Sequence, residues 1–210
     1  MLNFSFENPD KRIRGYSLRL ERELADIPDY SLPEGFRFVF YSEGDRDTWI
    51  DIEISAGEAP DYPTGLEYWN EYFEPHKSEL PGRMLFIENA EGLKVGTASA
   101  YYDISGEDTE GNAWLHWVSI RPEFQGRGLS KPLITEAMRV MRSLGYSHCI
   151  IPTHTEVWIA CRLYLSLGFR PTAKNAAESE YGWRIIRSIT DHPALSAFEP
   201  LSLDEVLKEE

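Results

Sequence analysis

"PEFQGRGLSKPL", residues 122–133, sets two glycines, an arginine, a serine and a lysine between an apolar run and an amphipathic one. The run before it, "AWLHWVSI" (113–120), reads as a strand. The run after it, "KPLITEAMRVMRSLG" (131–145), reads as a helix, because Leu133, Ala137, Val140, Met141 and Leu144 recur at helical spacing. Pro132 falls in the first turn and Gly145 stands where a chain leaves a helix. A strand, a Gly-x-Gly turn and a helix N-terminus together make a device for holding phosphate. The first backbone N–H groups of a helix have no intrahelical partner, the macrodipole places positive partial charge there, and glycine lets an anion come close. Local charge agrees: residues 121–147 hold five basic side chains (Arg121, Arg127, Lys131, Arg139, Arg142) against two acids, whereas residues 42–80 hold eleven acids against two bases. Lys131 is followed by proline rather than preceded by the P-loop spacing, and a third glycine is lacking, so neither nucleotide fingerprint fits.

The chain as a whole bounds the answer. Its 210 residues carry a formal net charge of −14, which argues against nucleic acid or anionic membrane as partners, since both need a broadly basic surface. Hydrophobic content of 42% is that of a globular protein with a full core. Cys149 and Cys161 sit among apolar residues without metal-ligand spacing and are expected as reduced core thiols. Charged residues occupy the N-terminus (Glu7, Asp10, Lys11, Arg12), and no apolar run approaches about 18 residues, so a soluble, cytoplasmic protein is expected.

Around the loop the pattern reads as a strand at "GYSLRLERE", a connector in "DIPDYSLPEG", a strand at 36–41, a helix at 44–55 and a second helix around "GLEYWNEYF". A hairpin follows at 83–89 and 94–104 around "AEGL". After the 131–145 helix come a strand at 147–154, a helix at 157–168 and a last strand at "YGWRIIRSI" (181–189). The fold class is therefore α/β (α+β), a mixed sheet with helices on both faces. Residues 1–35 are expected as an N-terminal extension packed on the main domain, 36–190 as that domain, and 191–210 as an acidic, peripheral C-terminal tail.

The segment "WVSIRPEFQGRGLSKPL" resembles motif A of the GNAT superfamily of N-acetyltransferases, a Gln/Arg-x-x-Gly-x-Gly/Ala pattern met here by Gln125, Gly126, Arg127, Gly128, Leu129 and Ser130. Ser130 replaces the usual glycine or alanine and is small enough to serve, as well as being a good helix cap. About thirty residues on, "ACRLYLSLGF" resembles the family's Ala-x-x-x-Tyr-x-x-x-Gly-Phe pattern through Ala160, Tyr164, Gly168 and Phe169, with Val157 where asparagine is frequent. The resemblance covers roughly 36–190.

It implies the GNAT fold: a mixed, mostly antiparallel central sheet with a V-shaped opening between the fourth and fifth strands, here 113–120 and 147–154. It implies acetyl-CoA as acyl donor, with Val118, Ser119 and Ile120 along the pantetheine, 125–130 around the pyrophosphate, and Arg127 or Lys131 as charge-assisted donors. Direct attack of an amine on a thioester needs a neutral amine, a stabilised oxyanion and a proton for the leaving thiolate. Tyr164 is the acid that the resemblance implies. The strand position where some relatives carry a glutamate base is Trp114. His116, two residues on and on the same face of a regular strand, is the candidate base, with an acid limb expected near the ordinary histidine value of about 6.5. His154 stands in reserve, and Asp103 and Glu107 are weaker candidates.

Acceptor contacts are expected from Glu58, Asp61, Tyr62, Glu67, Tyr68 and Trp69, acids and aromatics suited to a cationic amine. The function this implies is N-acetyl transfer from acetyl-CoA to a primary amine of a small molecule or peptide, by a monomer or homodimer. The alternatives are an inactive acyl-CoA-binding sensor, which Trp114 and Val157 bring into view, and a structural partner-binding domain.

Overall fold

The structure, a computed structural model, describes residues 9–208. The outermost parts of the N-terminal extension and of the C-terminal tail, 1–8 and 209–210, lie outside the described residues. The chain forms two compact units, one from Glu23–Cys149 and one from the segments on either side of it.

The first unit is built on an antiparallel meander of β2 (Phe36–Phe40), β3 (Met84–Asn89), β4 (Lys94–Tyr101) and β5 (Ala113–Ile120). The β3–β4 turn is made by Asn89, whose side chain accepts from the N–H of Glu91 and Leu93, and by Gly92 at φ 81°. Two helices, α1 (Arg46–Ala56) and α2 (Tyr62–Tyr72), pack on each other and on this sheet. Asp61 caps α2 by accepting from Thr64 N–H at 3.0 Å, and Pro63 fits its first turn. Gly65 is required where the helices cross: a Cβ there would lie 2.7 Å from Ile50 Cγ2. The contact is sealed by aromatic rings, with Trp49 edge-on to Trp69 at 5.6 Å and to Phe73 at 5.2 Å. The long amphipathic helix α3 (Ser130–Ser143) packs on β3, β4 and β5 and ends before Gly145 at φ 96°.

In the second unit the strand order is β6, β1, β7. Here β1 (Ser17–Glu23) pairs antiparallel with the two-residue β7 (Arg170–Pro171), and β6 spans His148–His154. The strand read in "GYSLRLERE" is thus an integral sheet member. Helices α4 (Trp158–Ser166), α5 (Ala173–Glu178) and α6 (Glu180–Ile189) follow. The last of these corrects the sequence reading, which took 181–189 for a strand. Trp183, Ile186 and Ile189, with Ile185, are buried at helical spacing, and this periodicity overrides the strand preference of three isoleucines.

The tail is not peripheral either. Leu195, Leu201 and Val206 are buried, a short helix α7 (Leu203–Val206) forms behind a capping box at Ser202 and Glu205, and Leu207 bridges to Ile13. Cys149 and Cys161 are buried thiols outside any disulfide, and burial pushes the Cys161 thiol up to about 12. No helix among the described residues is long and apolar enough to cross a membrane.

Candidate active site

The loop between β5 and α3 turns on two left-handed glycines. Gly126 and Gly128 take φ of 74° and 79°, a region that side chains with a Cβ rarely enter, and a Cβ built on either meets no atom within 4 Å. The backbone at both glycines is therefore open, with no protein atom standing in front of it. Gln125 points back and donates from Nε2 to the Ile120 carbonyl at 3.0 Å, which fixes the loop to the end of β5.

One expectation is corrected here: Ser130 is the first helical residue rather than the cap, and Leu129, buried, holds the cap position without a side-chain bond to the helix. The reason is geometric, since Leu129 is already in the helical region at φ −81°, ψ −28°. The consequence is that no side chain competes for the first N–H groups of α3, which stay available to a ligand.

The basic residues divide. Arg121 is paired with Asp51 at 2.6 Å, and Arg139 with Asp29 and Glu136 at 2.8 and 3.0 Å. Arg127 lies over the Phe124 ring at 4.8 Å and donates to the Glu123 carbonyl, while Lys131 lies over Tyr30 at 5.1 Å; neither has a carboxylate partner among the described residues. Arg127 stands between the two glycines and Lys131 follows them in the first turn of α3.

The strand that leads into the loop is irregular. Ser99 pairs with His116 and Thr97 with Ser119, so two steps along β4 face three along β5, and Trp117 takes up the extra residue at φ 54°. The Trp117 ring is clamped between Trp49 and Tyr72, each at 5.2 Å, and Tyr68 at 5.3 Å. The bulge brings Ser119 onto the face that carries His116, although odd spacing would put them on opposite sides. Of the three residues implied along a pantetheine, Ser119 and Ile120 are buried and Val118 is half-buried.

His116 stacks on Trp114 at 5.8 Å, so the two share a face as expected. Trp114 is buried and donates from Nε1 to Asp108 at 2.9 Å. His116 hydrogen-bonds to the backbone of Tyr102, its Nε2 is shielded and has no partner, and burial pushes it down to about 4. Burial thus favours the neutral imidazole, which weighs against the acid limb expected near the ordinary histidine value. Asp103 is an organiser of its own loop. Burial raises its pKa, but hydrogen bonds from the Ser105 hydroxyl and from backbone N–H groups hold it below the usual value.

Among the acceptor-side candidates, Trp69 is fully buried and donates to Glu74, so it is core. Asp61 is the α2 cap, and Tyr62 donates to Asp47 at 2.9 Å. Glu58 and Glu67 are exposed and Tyr68 half-buried.

In the second unit Tyr164 lies on α4, 6% exposed, its ring 6.1 Å from Phe169. His154 sits 3.5 Å from Glu156; burial pushes it down, with partial compensation from that carboxylate.

One group went unnoticed in the sequence. Glu53 of α1 is completely buried, accepts from Ser119 Oγ at 2.6 Å through Oε2, and leaves Oε1 without a partner. Burial pushes its carboxyl up to about 8, against the pull of the Ser119 bond. Its signal was an acid on the apolar face of a helix, four residues after Trp49 and three after Ile50.

The chain is similar to known proteins in sequence and in fold. A mycothiol acetyltransferase of Pseudarthrobacter chlorophenolicus is 25% identical over 73% of this chain and 48% of its own length. Human N-acetyltransferase 8B is 29% identical over 45% of this chain and 41% of its own. The chain spans about half the length of the curated relatives it matches. A solved GCN5-related N-acetyltransferase from Sphaerobacter thermophilus superposes with a TM-score of 0.60, at 23% identity, over 77% of this chain and 49% of that one, which shows the fold. The family model described as "Acetyltransferase (GNAT) family" matches residues 47–169, a span that runs from α1 through the glycine loop to Phe169 at the end of the tyrosine motif, and the chain belongs to that family.

Proposed function

We propose that this protein is an acyl-CoA-dependent N-acetyltransferase that moves acetyl from acetyl-CoA to a primary amine, with 36–190 as its acetyltransferase region. The observation that carries the reading is the loop at 125–130. Left-handed glycines, an uncapped helix N-terminus and two cations without carboxylate partners suit a pyrophosphate. Gln125, Gly126, Arg127, Gly128, Leu129, Ser130 and Lys131 would hold that part of the donor, and Val118, Ser119 and Ile120 its pantetheine arm. In the reaction the amine nitrogen bonds to the acetyl carbon, the carbon–sulfur bond breaks, the amine loses a proton and the thiolate gains one, for which Tyr164 is the proposed source. Exposed acids at Glu58 and Glu67 favour an acceptor that carries positive charge.

Thiol release is the deciding measurement. With acetyl-CoA and a panel of polyamines, aminosugars, arylalkylamines and peptide N-termini, at least one amine is expected to raise CoA release well above the amine-free rate. Saturable acetyl-CoA binding with no release for any amine would instead favour the sensor reading.

His116 is proposed to reach the incoming amine through an intervening water, towards which the neutral imidazole acts as a hydrogen-bond acceptor. An imidazole titrating at about 4 is a weak base but is never lost to protonation near neutrality. His116→Gln is expected to lower kcat about tenfold, with the acetyl-CoA Kd unchanged. Because the folded pKa is depressed, His116 itself should add no limb at about 6.5, the ordinary histidine value, and His116→Gln should keep whatever pH dependence the wild type shows through that value. A limb at that value which vanishes in the variant would show that His116 is more solvated than its packing implies.

A further inference from the structure

Six buried polar side-chain atoms among the described residues of the first unit stand without a protein partner: Tyr41 Oη, Trp49 Nε1, Glu53 Oε1, Ser99 Oγ, His116 Nε2 and Trp117 Nε1. Buried groups of this kind are nearly always hydrogen-bonded, and where the protein offers nothing, ordered water does. Three of the six fall into one row. Ser99 is directly opposite His116 across the β4–β5 ladder, Thr97 opposite Ser119, and Ser119 Oγ donates to Glu53 at 2.6 Å. The bulge at Trp117 is what aligns this row, since without it Ser119 would face away from His116. One end of the row is thus the proposed amine-side histidine, and the other is a carboxyl sealed beneath α1.

We propose that Glu53 is the terminal acceptor of a buried, water-mediated proton relay that begins at His116 and takes up the proton shed by the amine. This rests on the acetyltransferase reading above. Each cycle starts with Glu53 as carboxylate. A proton leaves the substrate nitrogen for the water at His116 Nε2, a proton passes along the Ser99 hydroxyl and intervening water, and Glu53 Oε1 receives one. The carboxylic acid returns that proton back along the same row once the amide product has left, so charge and protons balance.

Glu53 is a positioning residue for protons, since it acts through other groups. Around it, Glu58 past the end of α1 adds repulsion that favours the protonated form. The other ionisable groups on the packed elements include Tyr68 and Tyr72 of α2, His116 of β5, and Lys94 of β4, whose charge is matched by Asp45. None of these supplies a cation to hold Glu53 ionised at neutrality.

The test compares wild type, Glu53→Gln and Ser119→Ala in kcat against pH, with two amines of different basicity, alongside Tm against pH. Wild-type kcat is expected to rise about tenfold per pH unit below an apparent pKa near 8 that does not move with the amine. Glu53→Gln should lose that limb and run about tenfold slower at alkaline pH. Ser119→Ala removes a bond that lowers the pKa, so its limb should move to higher pH.

Stability gives a readout independent of turnover. The folded pKa of Glu53 lies above its unfolded value, so its stabilising effect is complete below about 4.5 and is lost as pH rises towards about 8. The Tm gap between wild type and Glu53→Gln should therefore change across that window. A wild-type limb retained in Glu53→Gln, or a Tm gap constant with pH, overturns the relay while the acetyltransferase reading stands. A wild type that releases CoA for no amine overturns both.

Discussion

Gly128→Val is expected to abolish the rise in melting temperature that acetyl-CoA gives the wild-type protein. A ligand that binds only the folded state at a hundredfold excess over its Kd adds about 2.7 kcal/mol of stability, and for a domain of this size that is a shift of roughly 5–10 °C. The variant attacks the shift in two ways. At φ 79° a β-branched side chain is strained, so the loop must alter its path, and the new methyl groups project into the space in front of the glycine where no protein atom stands. Neither effect touches the core, because Gly128 is exposed and only Leu129 behind it is buried. The unliganded variant should thus lose no more than about 1–2 kcal/mol. Gly128→Ala, with a smaller projection, is expected to retain part of the shift. Differential scanning fluorimetry across an acetyl-CoA titration measures all three proteins. A full shift in a folded Gly128→Val protein would mean that the loop merely turns the chain.

The glycine loop was legible because its chemistry is local: two residues without a Cβ, a following helix and the neighbouring charges are all visible within a dozen positions. The strand reading of 181–189 failed for the opposite reason. Ile185, Ile186 and Ile189 have strand-like side chains, and only the spacing of Trp183, Ile186 and Ile189 showed that a helical face was being buried. Trp69 was mistaken for a binding residue because aromatics between acids look the same whether they face solvent or a second helix; the Gly65–Ile50 contact that draws α2 onto α1 settles which.

Glu53 and the bulge at Trp117 are a different kind of omission. The acid could have been flagged by its place on an apolar helix face, but its partner is Ser119, sixty-six positions away and turned towards it only by a backbone irregularity. Strand alternation alone predicts the wrong face for Ser119. No pattern in "HWVSI" announces a tryptophan at positive φ; the packing of Trp49, Tyr68 and Tyr72 around the ring is what makes the strain tolerable.

Tyr164→Phe is expected to lower turnover by about 10²-fold or more while leaving acetyl-CoA affinity nearly unchanged. The substitution keeps the ring and its tilted contact with Phe169 at 6.1 Å, so the packing of a side chain only 6% exposed is preserved. What is lost is one hydroxyl, which in an ordinary structural role is worth about 1 kcal/mol of stability. The two roles therefore separate in magnitude and in kind. A packing tyrosine changes Tm slightly and kcat hardly at all, whereas a proton donor to the leaving thiolate changes kcat and spares Tm. The leaving group sharpens the distinction, because a thioester whose thiol is more acidic than that of CoA needs less help. If Tyr164 is the acid, the ratio of wild-type to variant rates should shrink with such a donor, and burst kinetics should place the loss in the chemical step. Equal rates for wild type and Tyr164→Phe, at matched acetyl-CoA saturation, would return the tyrosine to the core and leave the thiolate to be protonated by water.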